Sequence, residues 1–228
     1  MAKTASRVLR TGGLWFDGVA NYVNVPSTST LSGLNNITVM AWVCPTKTTE
    51  GTIVSKHDNV NNREWMLYIN PYDYKYRFLV YDEQARTFRE VAGSLAQIGV
   101  PVFLTGTYDG SVLRIYENAV LKSQVTTDIV IRPRSAPIRI GNRADNARFY
   151  GGIIDEPRIY NRALSSYEIS EIYTKDTFIK DGLILYLPFY EGEGNIAHDV
   201  SGYGNHGTIY GGAMWVVKKS LRVLPKAR

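Results

Sequence analysis

From Leu14 to about residue 160, apolar and polar residues alternate with a period of two, the mark of strands buried on one face. The pattern is clearest in Ile37–Val43, where Ile37, Val39, Ala41 and Val43 share one face and Met40 and Trp42 the other. The same period predicts strands over Leu14–Val25, Thr52–Lys56, Trp65–Asn70, Tyr76–Asp82, Val102–Tyr108, Val112–Glu117, Val120–Gln124, Ile138–Gly141 and Ile153–Tyr160. Asp109-Gly110 suits a tight hairpin because glycine accepts a positive φ, and Asn118-Ala119 marks the next turn. No helical pattern separates these runs, which predicts an all-β antiparallel sandwich rather than βαβ units. One helix is expected after them. Ser165 and Glu168 have the spacing of a capping box, Leu164 can staple onto Ile169, and Ile169, Ile172 and Tyr173 form a short apolar stripe. That is one short cover helix, not a bundle.

Composition narrows the class. The 16 Tyr, 7 Phe and 4 Trp supply more buriable surface than a disordered chain carries. No apolar run reaches the ~20 residues that a membrane span needs, and none follows the basic start as the core of a signal peptide would. A single cysteine, Cys44, excludes an intrachain disulfide framework, and its apolar surroundings mark it as a buried thiol. The net charge of +5 is unevenly spread. Lys3, Arg7 and Arg10 at one end and Lys218, Lys219, Arg222, Lys226 and Arg228 at the other leave the rest with 18 basic against 21 acidic residues. A mildly acidic body with basic ends lacks the basic face that a nucleic-acid-binding domain presents.

Several blocks carry a family resemblance: Phe16–Val23, Ile37–Val43, Thr107–Gly110 through Tyr116–Asn118, Ile138–Gly141 and Ile154–Ser165. In that order they resemble the laminin G-like, concanavalin A-like jelly-roll family, which implies a lectin-type sandwich. The family usually has Asn-Gly where this chain has Asn118-Ala119. An alanine at positive φ costs about 1 kcal/mol, so a different turn is expected there. Leu183–Phe189, Glu191–Gly194, Asp199–Gly207 and Gly212–Val216 resemble the opening of such a domain, which in the family precedes the segment starting here at Leu14. The expected organisation is a basic arm over 1–13, one sandwich over 14–217 and a basic tail over 218–228. Residues 183–216 then complete either their own sandwich or that of a neighbouring copy; closure within the chain costs less entropy.

Candidate chemistry follows from the oxygen-bearing and aromatic residues. Glycoside hydrolysis needs two carboxylates facing one cleft. Asp155 and Glu156 would point to opposite faces of a strand, and neither Asp82-Glu83 nor Glu191/Glu193 falls in the Glu-x-Asp-x-x-Glu spacing of related glycosidases. No serine lies in a Gly-x-Ser-x-Gly elbow, and His198 and His206 sit in a Gly/Asn turn block that suits a structural role. The resemblance implies a calcium ion between first and last strands, with Asp17 and Asp155 as its ligands. The alternative is that Asp17 caps the Asp-Gly turn and Asp155 pairs with a base such as Arg158. For sugar binding, aromatic rings beside amides and charged groups are needed. The segments His57–Trp65 and Pro71–Tyr76 hold both, making His57, Asn62, Trp65, Tyr72 and Tyr74 the candidate ligand-binding residues, with Trp65 equally suited to the core.

Two functions are therefore expected, neither catalytic. In one, the chain is a structural or assembly subunit made in the cytoplasm, as in a virion shell or decoration layer. Its basic ends, in which Val8, Leu9, Leu221, Val223 and Leu224 alternate with charges, then dock as edge strands on adjacent copies, with nucleic acid the weaker partner. In the other, it is a free carbohydrate-binding or adhesion module of lectin type.

Overall fold

The computed structural model describes residues 12–47, 50–58, 61–82 and 85–216; both basic ends lie outside them. The strands are β1 (Leu14–Asp17), β2 (Tyr22–Val25), β3 (Ile37–Pro45), β4 (Gly51–His57), β5 (Arg63–Ile69), β6 (Lys75–Asp82), β7 (Thr87–Leu95), β8 (Val102–Tyr108), β9 (Val112–Glu117), β10 (Val120–Thr126), β11 (Ile138–Ile140) and β12 (Gly151–Tyr160). The helix α1 (Ser166–Lys175) follows, and then β13 (Leu183–Tyr186), β14 (Ile196–Ala197), β15 (Gly207–Tyr210) and β16 (Met214–Trp215). They form two eight-stranded sheets. The first runs β10-β9-β8-β3-β12-β1-β16, with β13 also on β12, and the second runs β14-β15-β2-β11-β4-β5-β6-β7. This is the all-β jelly-roll sandwich with a single cover helix that the alternation and the resemblance indicate. The strands after Leu183 join both sheets: β13 pairs with β12, β15 with β2 and β16 with β1.

The inward faces of the two sheets make one core, in which Phe16, Val39, Trp65, Phe78, Leu104 and Ile154 are fully buried. The outer face of the first sheet is closed by α1. Met40, Trp42, Phe103 and Tyr160 form a second apolar cluster with Ile169 and Ile172, and Tyr173 stacks over Phe103 at 5.9 Å. The capping box holds the start of that helix: Ser165 Oγ accepts from the Glu168 amide at 3.3 Å, and Glu168 Oε2 accepts from the Ser165 amide at 2.8 Å. On the outer face of the other sheet it is the β11–β12 loop, not a helix, that lies over β4, whose residues are all buried.

Three details differ from the sequence expectations. The run Leu14–Val25 is not one strand, because Asp17 Oδ1 accepts from the amides of Val19 at 2.7 Å and Ala20 at 2.9 Å and folds the chain into a turn. The turn sends β1 into the first sheet and β2 into the second. The Asn118-Ala119 hairpin keeps two positive φ angles, 51° and 63°. Asn118 is bound twice to Phe103 of the neighbouring strand, through its amide to the carbonyl at 2.8 Å and through its side chain from the amide at 2.9 Å, which offsets the cost at Ala119. Strand β7 lacked a sequence signal: it is an edge strand with one fully buried residue, Val91, so its alternation is weak.

Candidate functional site

The outward side of the second sheet holds a groove of about 420 Å³. Period-two alternation builds it. On β5, Trp65, Leu67 and Ile69 enter the core, while Met66 and Tyr68 face outward, as does Asn70 just past its end. On β6, Tyr76, Phe78 and Val80 are core and Arg77, Leu79 and Tyr81 line the groove; Phe88 and Glu90 of β7 continue it. Its floor is apolar, with Met66, Tyr68, Leu79 and Tyr81 packed as a cluster of their own.

One wall comes from the loop between β11 and β12, which contributes Arg143 and Arg148. Three backbone hydrogen bonds dock that loop on β4: Gly141 to Ile53 at 3.0 Å, Ala144 to His57 at 3.0 Å and Thr52 to Arg148 at 2.8 Å. The other wall is the 70–75 turn, where Asn70 Oδ1 accepts from the Tyr72 amide at 2.9 Å. This bond carries the Tyr72 ring to the rim, 90% exposed.

Polar groups in the groove are tied to one another. Arg77 donates through Nη1 to Glu90 and through Nη2 to Asp73 Oδ2 at 2.6 Å. Tyr68 donates its hydroxyl to Glu90 Oε2 at 2.6 Å. Burial, reinforced by Glu90, pushes the Tyr68 phenol up, so it stays a neutral donor. The guanidinium of Arg63 lies 4.4 Å over the Tyr81 ring and that of Arg148 lies 5.9 Å from Tyr68. His57, edge-on to Tyr81, is pushed down to about 3 by burial and then by the charges of Arg143 and Arg63, so it is a neutral imidazole. Slight burial raises Asp73, but its bonds to Arg77 and to the Lys75 amide outweigh this and hold it below the usual carboxylate range. Four arginines and two carboxylates line the groove over an apolar floor; just outside the lining, Asp145 holds Arg143 in a fork at 2.8 and 2.9 Å and Glu50 pairs with Arg148 at 3.4 Å.

Of the residues singled out in the sequence, His57 and Tyr72 line this groove. Trp65 does not: it is fully buried in the sandwich core, on the opposite face of β5 from Met66 and Tyr68. Asn62 is spent on loop structure, its amide nitrogen bonding Asp58 at 2.6 Å and its oxygen accepting from Ser135 at 3.0 Å. Tyr74 occupies a left-handed turn position, φ 53°, outside the lining. The arginines and Glu90 were missed because they come from three strands and a distant loop; the outward period of Arg77, Leu79 and Tyr81 was their one local signal.

The expected calcium pair is not a pair. Asp17 is in register with Gly151, and Asp155 lies four residues further along β12, which separates the two by about 13 Å. Calcium binds oxygens at about 2.3–2.6 Å, so one ion cannot take both carboxylates. Asp17 caps its turn, whereas Asp155 is fully buried beside a bulge in β12. Arg158 pairs with Glu156, Nη2 to Oε2 at 2.7 Å. Among the described residues, no cluster of three or more His, Cys, Asp and Glu is arranged to hold a metal. In the Gly/Asn turn block, His206 Nδ1 accepts from the Asp199 amide at 3.0 Å, and Asp199 accepts from Tyr186, Ser201 and Asn205, a structural knot.

The model of the concanavalin A-like lectin/glucanases superfamily matches residues 17–170, more than half of the chain. The chain belongs to that superfamily. No curated protein matches it in sequence. Among solved structures, it is similar to a Bacteroides ovatus protein assigned to carbohydrate binding, with a TM-score of 0.73 and 16% identity. That likeness covers 93% of this chain, which spans 61% of the length of the Bacteroides protein. The heptameric SAP-like pentraxin of Limulus polyphemus gives a TM-score of 0.64 at 11% identity, covering 94% of this chain and 98% of its own. The CBM40 module of the Ruminococcus gnavus IT-sialidase, solved bound to α2,3-sialyllactose, gives 0.55 at 14% identity, covering 72% of this chain and 97% of the module. At these identities the likeness is one of fold, and the fold is lectin-like.

Proposed function

We propose that this superfamily member is a non-catalytic, lectin-like module that binds acidic glycans in the groove over β4, β5, β6 and β7. The observation that carries this reading is the lining itself: Arg63, Arg77, Arg143 and Arg148 around a floor of Met66, Tyr68, Leu79 and Tyr81. A pyranose presents apolar C–H faces to rings and hydroxyls to fixed polar groups, and a carboxylate or sulfate pairs with guanidinium forks. The guanidinium groups at the groove favour the acidic members of that class. Sialyllactose on the Ruminococcus module is a precedent on the same fold.

The carboxylates speak against turnover. Hydrolysis needs one protonated acid near neutrality, usually by burial without a cationic partner. Asp73 is held ionised by Arg77, and Glu90 is occupied by Arg77 and Tyr68. The assembly reading rests on the two basic ends, outside the described residues, so the groove carries the stronger case.

A glycan array tests the reading. Hits should be enriched in carboxylated or sulfated glycans, should be lost in Arg77→Ala, and should survive on the array without cleavage. Hits confined to neutral sugars would overturn the acidic class, and an array without hits would overturn the lectin reading.

A further inference from the structure

The walls of the groove decide which way a ligand can lie in it. The β11–β12 loop docked on β4 closes the side toward β11, so no chain of sugars crosses the sheet there. The free direction runs along β5, β6 and β7. Cross-strand register divides that path into rows. Tyr81 and Phe88 form the first, Met66, Leu79 and Glu90 the second, and Tyr68 and Arg77 the third. Tyr72 follows in the turn beyond them.

Surface suited to stacking lies at the two ends of this path. The floor residues Met66, Tyr68, Leu79 and Tyr81 are all buried and offer a sugar face little area. Of the rings in the lining, Phe88 and Tyr72 are the exposed ones, at 49% and 90%. Both are held in place. Phe88 stacks on Tyr81 at 6.3 Å and 9°, and the guanidinium of Arg63 lies over that same tyrosine ring. Tyr72 is placed by the bond from its amide to Asn70. A ring ordered before binding loses little entropy when a ligand covers it.

Distance separates the two contacts. Phe88 is in register with Tyr81, and the turn bearing Tyr72 ends where β6 starts at Lys75. Tyr81 lies six residues along the strand from Lys75, about 20 Å. One sugar unit cannot touch both rings, whereas a chain of several can. Between the rings the lining is polar, with Arg77 bound to Asp73 on one side and Glu90 on the other.

We propose that the groove takes an internal stretch of a linear acidic polysaccharide, laid along β6. One sugar unit stacks on Phe88 and another on Tyr72, and the carboxylate or sulfate of a unit between them pairs with Arg77. The acidic class rests on the groove reading; the direction and the two end contacts rest on the walls and the exposed rings. A single acidic sugar at a branch tip uses one ring alone, so it binds more weakly than a chain that uses both. Linking two contacts on one ligand makes the second intramolecular, so affinity rises with length until both rings are covered and then levels off.

The test is calorimetry on the full chain with size-graded ladders of hyaluronan, chondroitin sulfate and oligogalacturonate, disaccharide to decasaccharide, beside α2,3-sialyllactose. In at least one ladder, affinity should rise about tenfold or more from the disaccharide to a plateau. Opening the terminal ring by borohydride reduction should leave members longer than the threshold unchanged, because an internal stretch is bound. Phe88→Leu and Tyr72→Ala, both at exposed positions, should each lower plateau affinity about three- to tenfold, and together they should flatten the ladder. Affinity independent of length, or a length gain that survives the double variant, overturns this arrangement; loss of the same binding in Arg77→Ala then shows the groove reading intact. Binding of α2,3-sialyllactose as tight as that of the longest members overturns the internal mode in the same way. An equal gain for neutral cello-oligosaccharides overturns the acidic class and leaves the two rings standing. Silence from every ligand overturns both.

Discussion

The ring of His57 stands edge-on to that of Tyr81, 6.4 Å between centroids, at one end of the groove. Burial, with Arg143 and Arg63 close by, keeps that imidazole neutral down to about 3, against 6.5 for a free histidine. The folded state therefore binds this proton later than the unfolded state, so the stability it contributes is complete above pH 6.5 and is lost as pH falls toward about 3. The loss amounts to at most about 5 kcal/mol, at ~1.4 kcal/mol per unit. Denaturant unfolding of the wild type and His57→Gln at several pH values should show the two curves converging on acidification. Parallel curves would show that His57 is not neutral in the fold. Glycan binding should show no titration near pH 6.5, because His57 does not change charge there.

Trp65 and Tyr72 are neighbours in the chain with opposite duties. Trp65→Ala empties a filled core position and should cost ~3–5 kcal/mol, seen as a large fall in melting temperature. Tyr72, 90% exposed at the groove rim, should be nearly silent in the same measurement, within ~0.5 kcal/mol. In binding the order reverses: Tyr72→Ala should weaken glycan affinity about three- to tenfold, the worth of one aromatic face. Equal binding by wild type and Tyr72→Ala would remove that ring from the site.

The same contrast shows what the chain reveals when read as a sequence. Alternation over Ile37–Val43 or Tyr76–Asp82 states that a strand is there and which residues share a face, since a buried face imposes its period on the sequence. It does not say which face meets the partner sheet, so Trp65 fits both core and ligand until β5 is seen packed. Capping at Ser165 and Glu168 is local chemistry and was legible in full. The groove was legible only at its edges, His57 and Tyr72, where a loop gathers rings and amides into one short segment. Its centre is made by Arg77, Glu90, Arg143 and Arg148, which strand order and a docked loop bring together from far apart in the chain. Edge strand β7 was hidden for a related reason: with solvent on much of its surface, nothing forces its residues to alternate.

Asp17 offers a direct check on the calcium expectation. Its carboxylate accepts three backbone amides across the β1–β2 turn, from Val19, Ala20 and Asn21, and slight burial is outweighed by those bonds and by Lys47 in holding it ionised. Asp17→Ala should cost on the order of 1–2 kcal/mol, as loss of a capping carboxylate does at a helix start. The cost should be the same with calcium and with a chelator, because Asp155 is too far away to share an ion. A destabilisation seen only with calcium present would show that Asp17 ligates the ion through some other set of oxygens.

Glu90 decides what kind of sugar the groove prefers. Its carboxylate accepts from Arg77 and from Tyr68, so an entering anion competes with it for Arg77 and is repelled by it at short range. Glu90→Gln keeps the volume and still accepts from Tyr68, while one negative charge leaves the lining. Affinity for an acidic oligosaccharide should then rise about three- to tenfold at low salt, a small part of the ~4 kcal/mol that two unit charges exchange at 4 Å near a protein surface. The gain should shrink as salt shortens the screening length below about 10 Å, which separates it from a change in shape. Neutral oligosaccharides should bind Glu90→Gln and wild type alike, and the melting temperature should fall modestly, since two hydrogen bonds of the three in the cluster, those from Arg77 and Tyr68, lose the carboxylate's charge. The opposite result, weaker binding in Glu90→Gln for every sugar tried, would mean that Glu90 accepts sugar hydroxyls itself. The groove would then be a neutral-sugar site with Arg77 as a strut that orients its carboxylate.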